Sequence, residues 1–172
     1  MNTVIIVNGK PRSGKDTVSK YITEYCEEQG TYCDVWSTID VEKEILEEYV
    51  KQYDTTSNID RAFLSDLKQL LNEYYNYTFE SFKSIIDLND GIIIIHTREW
   101  EEIQNFKIYC EQNNINFITI FVTGKFQQEM FTNVSDKYCD DYYNHYDYKI
   151  HNYGTLEELR ENVRNFCESR LF

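Results

Sequence analysis

Between Thr3 and Tyr21 the chain reads TVIIVNGKPRSGKDTVSKY, and few folds accommodate such a run. An apolar stretch from Val4 to Val7 ends at Asn8. A turn bounded by Gly9 and Gly14 follows, then Lys15-Asp16-Thr17 and a helical pattern. Strand, glycine-bounded turn, lysine and helix is the layout of a phosphate-binding loop. The glycines let the chain double back so that successive backbone N–H groups converge. Those amides and the positive end of the following helix attract a polyphosphate. On this reading Gly9, Lys10, Pro11, Arg12, Ser13, Gly14, Lys15, Asp16 and Thr17 surround the phosphates, and Lys15 reaches the β- and γ-phosphates. The plainer alternative is an ordinary glycine-rich strand-to-helix turn. Asp16 stands where Ser or Thr usually ligates Mg²⁺, with Thr17 one place later. Asp16 is therefore either a helix cap suited to the dipole or a metal ligand, directly or through water.

Length and charge narrow the ligand. The chain has 172 residues, about one domain, and is 41% hydrophobic, enough for a buried core. Its net charge of −13 argues against a nucleic-acid surface, which would be basic. Lys10, Arg12, Lys15 and Lys20 nevertheless crowd the loop. A small cationic cleft in an acidic body suits a small phosphorylated ligand. The five cysteines include no C-x-x-C pair, so reduced thiols and a cytoplasmic location are expected. No signal peptide is read before the first strand, and Ile92 to Ile95 is too short to span a bilayer, so no membrane partner is expected.

Beyond the loop, helical spacing of Val18, Ile22, Tyr25 and Cys26 predicts a helix from about Lys15 to Glu28. Tyr32 to Ser37 alternates as a strand. Ser37, Thr38 and Asp40 then either cap the next helix or stand at the ligand-binding edge of a parallel sheet. Helices are predicted over Val41 to Tyr53, Ile59 to Tyr77 and Thr78 to Leu88. The second of these has an apolar face of Phe63, Leu64, Leu67, Leu70 and Leu71, decorated by Arg61, Asp66 and Lys68. So many helices between two strands form an insertion able to carry a second substrate site. Gly91 to His96 is an all-apolar strand ending in histidine, as a strand buried on both faces reads. His96 is either a core-edge histidine or a catalytic group, and Arg98, just past it, has a planar fork well shaped for phosphate. A helix from Trp100 to Asn113, a strand from Asn116 to Val122, a weakly patterned stretch from Thr123 to Tyr143 and a strand from His145 to Ile150 follow. Thr155 with Glu158 caps the last helix. Strands alternating with helices predict a three-layer α/β/α fold with a five-stranded parallel sheet.

These pieces together resemble a family. The loop GKPRSGKDT, with Asp after the lysine, is similar to that of the deoxynucleoside monophosphate kinases of tailed phages and their phosphomevalonate kinase relatives. Asp60 to Lys68, DRAFLSDLK, resembles the helix that bears a substrate-side arginine. His96-Thr97-Arg98-Glu99 matches the strand end where many relatives have Asp-x-Arg, and Asp147 to Asn152 with Gly154 to Leu159 resembles the closing strand and helix.

The resemblance implies a P-loop nucleotide kinase, with a core over 1–37, 91–122 and 145–172, a helical acceptor-binding insertion over 38–90 and a lid over 123–144. It implies transfer of the γ-phosphoryl group of ATP, with Mg²⁺ at Asp16 and Thr17, to a deoxynucleoside monophosphate in the host cytoplasm of a bacteriophage, and a possible homodimer. Lys15, Arg12 and Arg98 would be catalytic, and Ser37, Asp40, Arg61, Asp66, Lys68, Arg98 and Glu99 would line the acceptor. Two departures stand out. His96 replaces the Asp, and the lid has no arginine, only Lys125 and Lys137. A kinase of another small phosphorylated metabolite, or a nucleotide-binding protein with little catalysis, are the alternatives.

Overall fold

The computed structural model describes residues 2–40, 43, 44, 47, 61–124 and 142–172. Five strands make one sheet: β1 (Thr3–Asn8), β2 (Cys33–Ser37), β3 (Ile92–His96), β4 (Asn116–Gly124) and β5 (Tyr148–Asn152). Their order across the sheet is β2-β3-β1-β4-β5, and every pair is parallel. The helices are α1 (Lys15–Glu28), α2 (Arg61–Tyr75), α3 (Tyr77–Leu88), α4 (Trp100–Gln112) and α5 (Leu156–Arg170). Residues 40, 43, 44 and 47 are also helical. The rest of the helix predicted over 41–53, the polar loop expected after it and residues 125–141 of the expected lid lie outside the described residues. Among the described residues, no helix is long and apolar enough to cross a membrane.

The two-residue period of β1 and β3 divides the core into two layers. Ile5, Val7, Ile92 and Ile94 face Val18, Ile22 and Cys26 of α1 and Leu159, Val163 and Phe166 of α5. Val4, Ile6, Ile93 and Ile95 face Phe82 and Ile86 of α3 and Ile103, Phe106 and Cys110 of α4. Burial on both faces is why these strands read as unbroken apolar runs. The register aligns the carboxyl ends of the three central strands: Val7 pairs with both His96 and Ile120, and Ser37 pairs with His96. That shared edge is where the loops able to hold a ligand emerge.

Three expectations change. The inward stripe of α2 is Leu64 with a buried Lys68, whereas Phe63 and Leu70 are 53% and 54% exposed. Lys68 faces inward because the buried carboxylate of Glu102 and the half-buried one of Glu99 await it there. The last strand begins at Tyr148, three residues later than its alternation suggests, after a 3₁₀ turn over Tyr143–His145. The cause is Asp147, whose carboxylate accepts both the backbone N–H and the hydroxyl of Thr119 at 2.8 Å, ahead of the strand ladder. Thr123 and Gly124 belong to β4 rather than to a lid, because they pair with His151 and Asn152. Cys26, Cys33, Cys110 and Cys167 are free thiols.

Candidate active site

The turn from Gly9 to Gly14 leads from β1 into α1. Gly9 has φ +148°, and a Cβ there would lie 2.3 Å from the Val122 carbonyl oxygen. Gly14 has φ +98°, and its Cβ would lie 2.4 Å from Nδ2 of Asn152. Both positions therefore exclude side chains by conformation and by space. Arg12 adopts a left-handed φ of +61° at the exposed tip. Ser13 N–H closes the turn on the Lys10 carbonyl at 3.2 Å. Asn152 donates to the Ser13 carbonyl at 3.1 Å, tying the β5 end to the loop.

α1 begins at Gly14 with no side-chain cap, so its first-turn amides are not covered by a capping group. Amides of this kind, at the positive end of a 14-residue helix, form an anion site. Lys15 donates from Nζ to the carbonyls of Gly9 at 2.8 Å and Lys10 at 3.0 Å, which arches it back over the loop. Phosphate oxygens are stronger acceptors for an ammonium than these carbonyls and would replace them. The geometry thus fits a polyphosphate. Asp16 has a side chain 97% exposed and Thr17 is partly exposed, so both present oxygen donors of the kind Mg²⁺ takes.

His96 stands at the centre of the sheet edge. Its Nε2 lies 2.6 Å from Oγ of the buried Ser19, and its Nδ1 lies 3.5 Å from the Asp16 carboxylate. Burial lowers its pKa below the usual histidine value; Asp16 pulls it up, Lys15 pushes it down, and Asp40 and Arg98 act with smaller and opposite effects. The ring is therefore neutral at pH 7. Lys15, Asp16, Asp40 and Arg98, from three separate stretches of chain, thus all lie near enough to act on the charge of one imidazole.

A cleft of about 440 Å³ opens beside it, lined by Asp16, Ser19, Lys20, Trp36, Ser37, Asp40 and His96 among others. Asp40 accepts the Ser37 N–H at 2.9 Å and pairs with Lys43 at 2.8 Å. It caps the turn after β2 while facing the cleft.

The acceptor-side residues divide. Arg61 opens α2, and its side chain lies outside the described residues. Asp66 is exposed on α2. Lys68 is 7% exposed and donates to Thr38 Oγ1 at 2.9 Å, Glu99 at 3.0 Å and Glu102 at 2.9 Å. Those three contacts use its three N–H bonds, so Lys68 and Glu99, both expected on the acceptor side, tie α2 to the loops after β2 and β3. Thr97 donates to both Glu99 and Glu102, and Asn72 donates to Glu102 at 3.0 Å. Burial alone would lower Lys68, but Glu102 and Glu99 outweigh it and hold the ammonium above the usual lysine value. Glu102 is itself pushed up by burial, pulled back by Lys68 and raised by Glu99, since one ammonium serves two carboxylates. Arg98, between the tied Thr97 and Glu99, is partly buried, and its N–H lies 3.3 Å from the Glu99 carboxylate.

Sequence reading missed Ser19 and Glu102. Each left a signal: a polar residue interrupting an apolar stripe. Ser19 adjoins Val18 on α1, and Glu102 adjoins Ile103 on α4, as Lys68 adjoins Leu67 on α2.

Comparison with known proteins agrees at the level of the fold. No protein-family model and no curated protein matches the sequence. Among solved structures, the APS kinase CysC of Mycobacterium tuberculosis in complex with AMPPNP and APS is similar over 97% of this chain and 98% of that one, with a TM-score of 0.58 at 11% identity. Shikimate kinase from Aquifex aeolicus is similar over 99% of both chains, with a TM-score of 0.52 at 14% identity. The tunicamycin resistance protein of Deinococcus radiodurans is similar over 96% of this chain and 95% of that one, with a TM-score of 0.52 at 9% identity. The chain has the α/β fold of the P-loop kinases.

Proposed function

We propose that this chain is a kinase that transfers the γ-phosphoryl group of ATP to a deoxynucleoside monophosphate, giving the diphosphate. The observation that carries this reading is one edge of the sheet. An uncapped helix start and Lys15 lie there beside a cleft that Asp16, Ser37, Asp40 and His96 line. The choice of a monophosphate acceptor rests on the sequence resemblance around Arg61 and Arg98.

Phosphoryl transfer asks for positioning and charge neutralisation more than covalent chemistry. Amides of residues 10–15 and the α1 start hold the donor phosphates. Lys15 exchanges backbone carbonyls for phosphate oxygens and follows the transferring group. Arg12 at the loop tip and Arg98 at the sheet edge bridge donor and acceptor phosphates. Asp16 and Thr17 would hold Mg²⁺, which when bound neutralises further charge on the phosphates. A phosphate monoester is already largely ionised at neutral pH, so it needs no general base. A neutral His96 occupied by Ser19 is compatible with such an acceptor.

A second reading is a nucleotide-binding protein with little turnover. His96 favours it, because a neutral imidazole stands where the resembling kinases place a carboxylate.

The deciding assay is coupled ADP release with ATP and Mg²⁺, offering dTMP, dGMP, dCMP, dUMP and dAMP singly, with a no-acceptor control. Turnover that depends on one or more of them supports the kinase. ATP binding without acceptor-dependent turnover would overturn it and leave the second reading.

A further inference from the structure

The phosphate loop is braced from behind by a pair of buried polar groups that the catalytic account does not use. Asn8 is the last residue of β1, between β3 and β4, and is fully buried. A buried amide in a central strand is costly unless both of its ends are satisfied. Here Oδ1 accepts the N–H of Gly9 at 2.6 Å, and Nδ2 donates to the hydroxyl oxygen of Tyr146 at 2.5 Å. The Gly9 N–H can face only the amide oxygen, so the orientation of the Asn8 side chain is determined.

Tyr146 is 3% exposed and comes from a distant part of the chain, between the Tyr143–His145 turn and β5. Its ring packs edge-on against Phe121 of β4 at 5.1 Å and Trp100 of α4 at 5.9 Å. Lys149 holds its backbone carbonyl at 2.9 Å. Tyr146 is thus a rigid post. Asn8 relays its position to the first peptide of the loop, and the Gly9 carbonyl two atoms on accepts the Lys15 ammonium.

We propose that Tyr146 and Asn8 are positioning residues for nucleotide phosphates, setting the first peptide of the loop and, through the Gly9 carbonyl, the resting place of Lys15. The inference rests on the reading of this loop as a nucleotide site, but not on the identity of the acceptor. Removing the hydroxyl leaves the ring packing intact and strands a buried donor, whose cheapest escape is to turn the Asn8 amide away from Gly9.

The test is ATP affinity by titration calorimetry for the wild type, Tyr146→Phe, Asn8→Ala and the double variant. Val163→Ala, on α5 in the core layer across the sheet from Tyr146, serves as a control that lowers the melting temperature without touching the Tyr146–Asn8–Gly9 contacts. Each single variant should weaken ATP binding by about tenfold, the size of one buried hydrogen bond with its stranded partner. The double variant should be no weaker than Asn8→Ala alone, because the relay passes through that amide. Val163→Ala should lower the melting temperature without changing affinity. Wild-type affinity in Tyr146→Phe, or full additivity in the double variant, would overturn the relay while leaving the nucleotide site standing. If Tyr146→Phe does not fold, Asn8→Ala against Val163→Ala decides alone, and unchanged affinity there overturns the proposal. A wild-type chain that binds no ATP would overturn the nucleotide reading itself and the relay with it.

Discussion

Lys15 and Lys68 are the same side chain in opposite settings. Lys15 leans on two backbone carbonyls, at 2.8 and 3.0 Å, at the mouth of an uncapped helix. Lys68 is sealed behind α2 with one hydroxyl and two carboxylates. Neutral carbonyls yield readily to an incoming phosphate, and a buried carboxylate does not. A cation that serves a ligand needs exchangeable partners, whereas a cation that serves the fold needs compensated charge.

Three experiments sharpen or break that contrast. The largest effect on function is expected from Lys15→Ala. Phosphoryl transfer should fall by at least about 10²-fold, the scale for losing one preorganised charge at the reacting group. Its melting temperature should stay close to that of the wild type. Full activity, read by coupled ADP release, would end the ligand role.

Lys68→Met should show the reverse. It leaves the buried Glu102, with the partly exposed Glu99 beside it, without a cation, and breaking a buried pair of the Lys68–Glu102 kind costs about 3–5 kcal/mol. Denaturant unfolding should reveal the loss. Adding Glu102→Gln should restore part of it by removing the uncompensated charge. A Lys68→Met protein of wild-type stability that no longer binds its acceptor would make Lys68 a ligand cation after all. The pH dependence has a clear sign. The folded pKa of Lys68 is raised above 10.5, so its contribution is intact below that pH and is lost only as the pH climbs through the raised value.

The smallest effect concerns His96. Its folded pKa is depressed below 6.5, so the unfolded chain binds that proton more readily. The stability it contributes is present above pH 6.5 and drains away as the pH falls through the lower folded value. Melting temperatures between pH 7.5 and 5 should drop more steeply for the wild type than for His96→Gln. Parallel slopes would show that His96 does not carry the titration.

Local features are legible in the sequence. The bounds of α1, Lys15 to Glu28, follow from its apolar spacing and its flanking glycines. The Thr155–Glu158 capping box is present in full, because it needs residues only three apart. The two-faced burial of β1 and β3 follows from their composition. The inward face of α2 was not legible. Lys68 turns inward to meet carboxylates 31 and 34 residues away, and hydrophobicity alone counts a lysine as outward. The start of β5 was misplaced for a similar reason, since Asp147 takes its partner on Thr119, 28 residues earlier.

The chain by itself determined that a strand, a glycine-bounded turn and a helix with Lys15 at its head would follow one another. It also determined that alternating strands and helices would bury apolar runs on both faces. Those outcomes depend on steric limits and periodicities a few residues long. Only the tertiary structure decided that His96 would rest on Ser19, that Lys68 would be bound by Glu99 and Glu102, and that Tyr146 would support Asn8 from 138 residues away. In each case the deciding quantity is desolvation. A buried polar group must find a partner wherever the fold places one, and no local pattern records where that is.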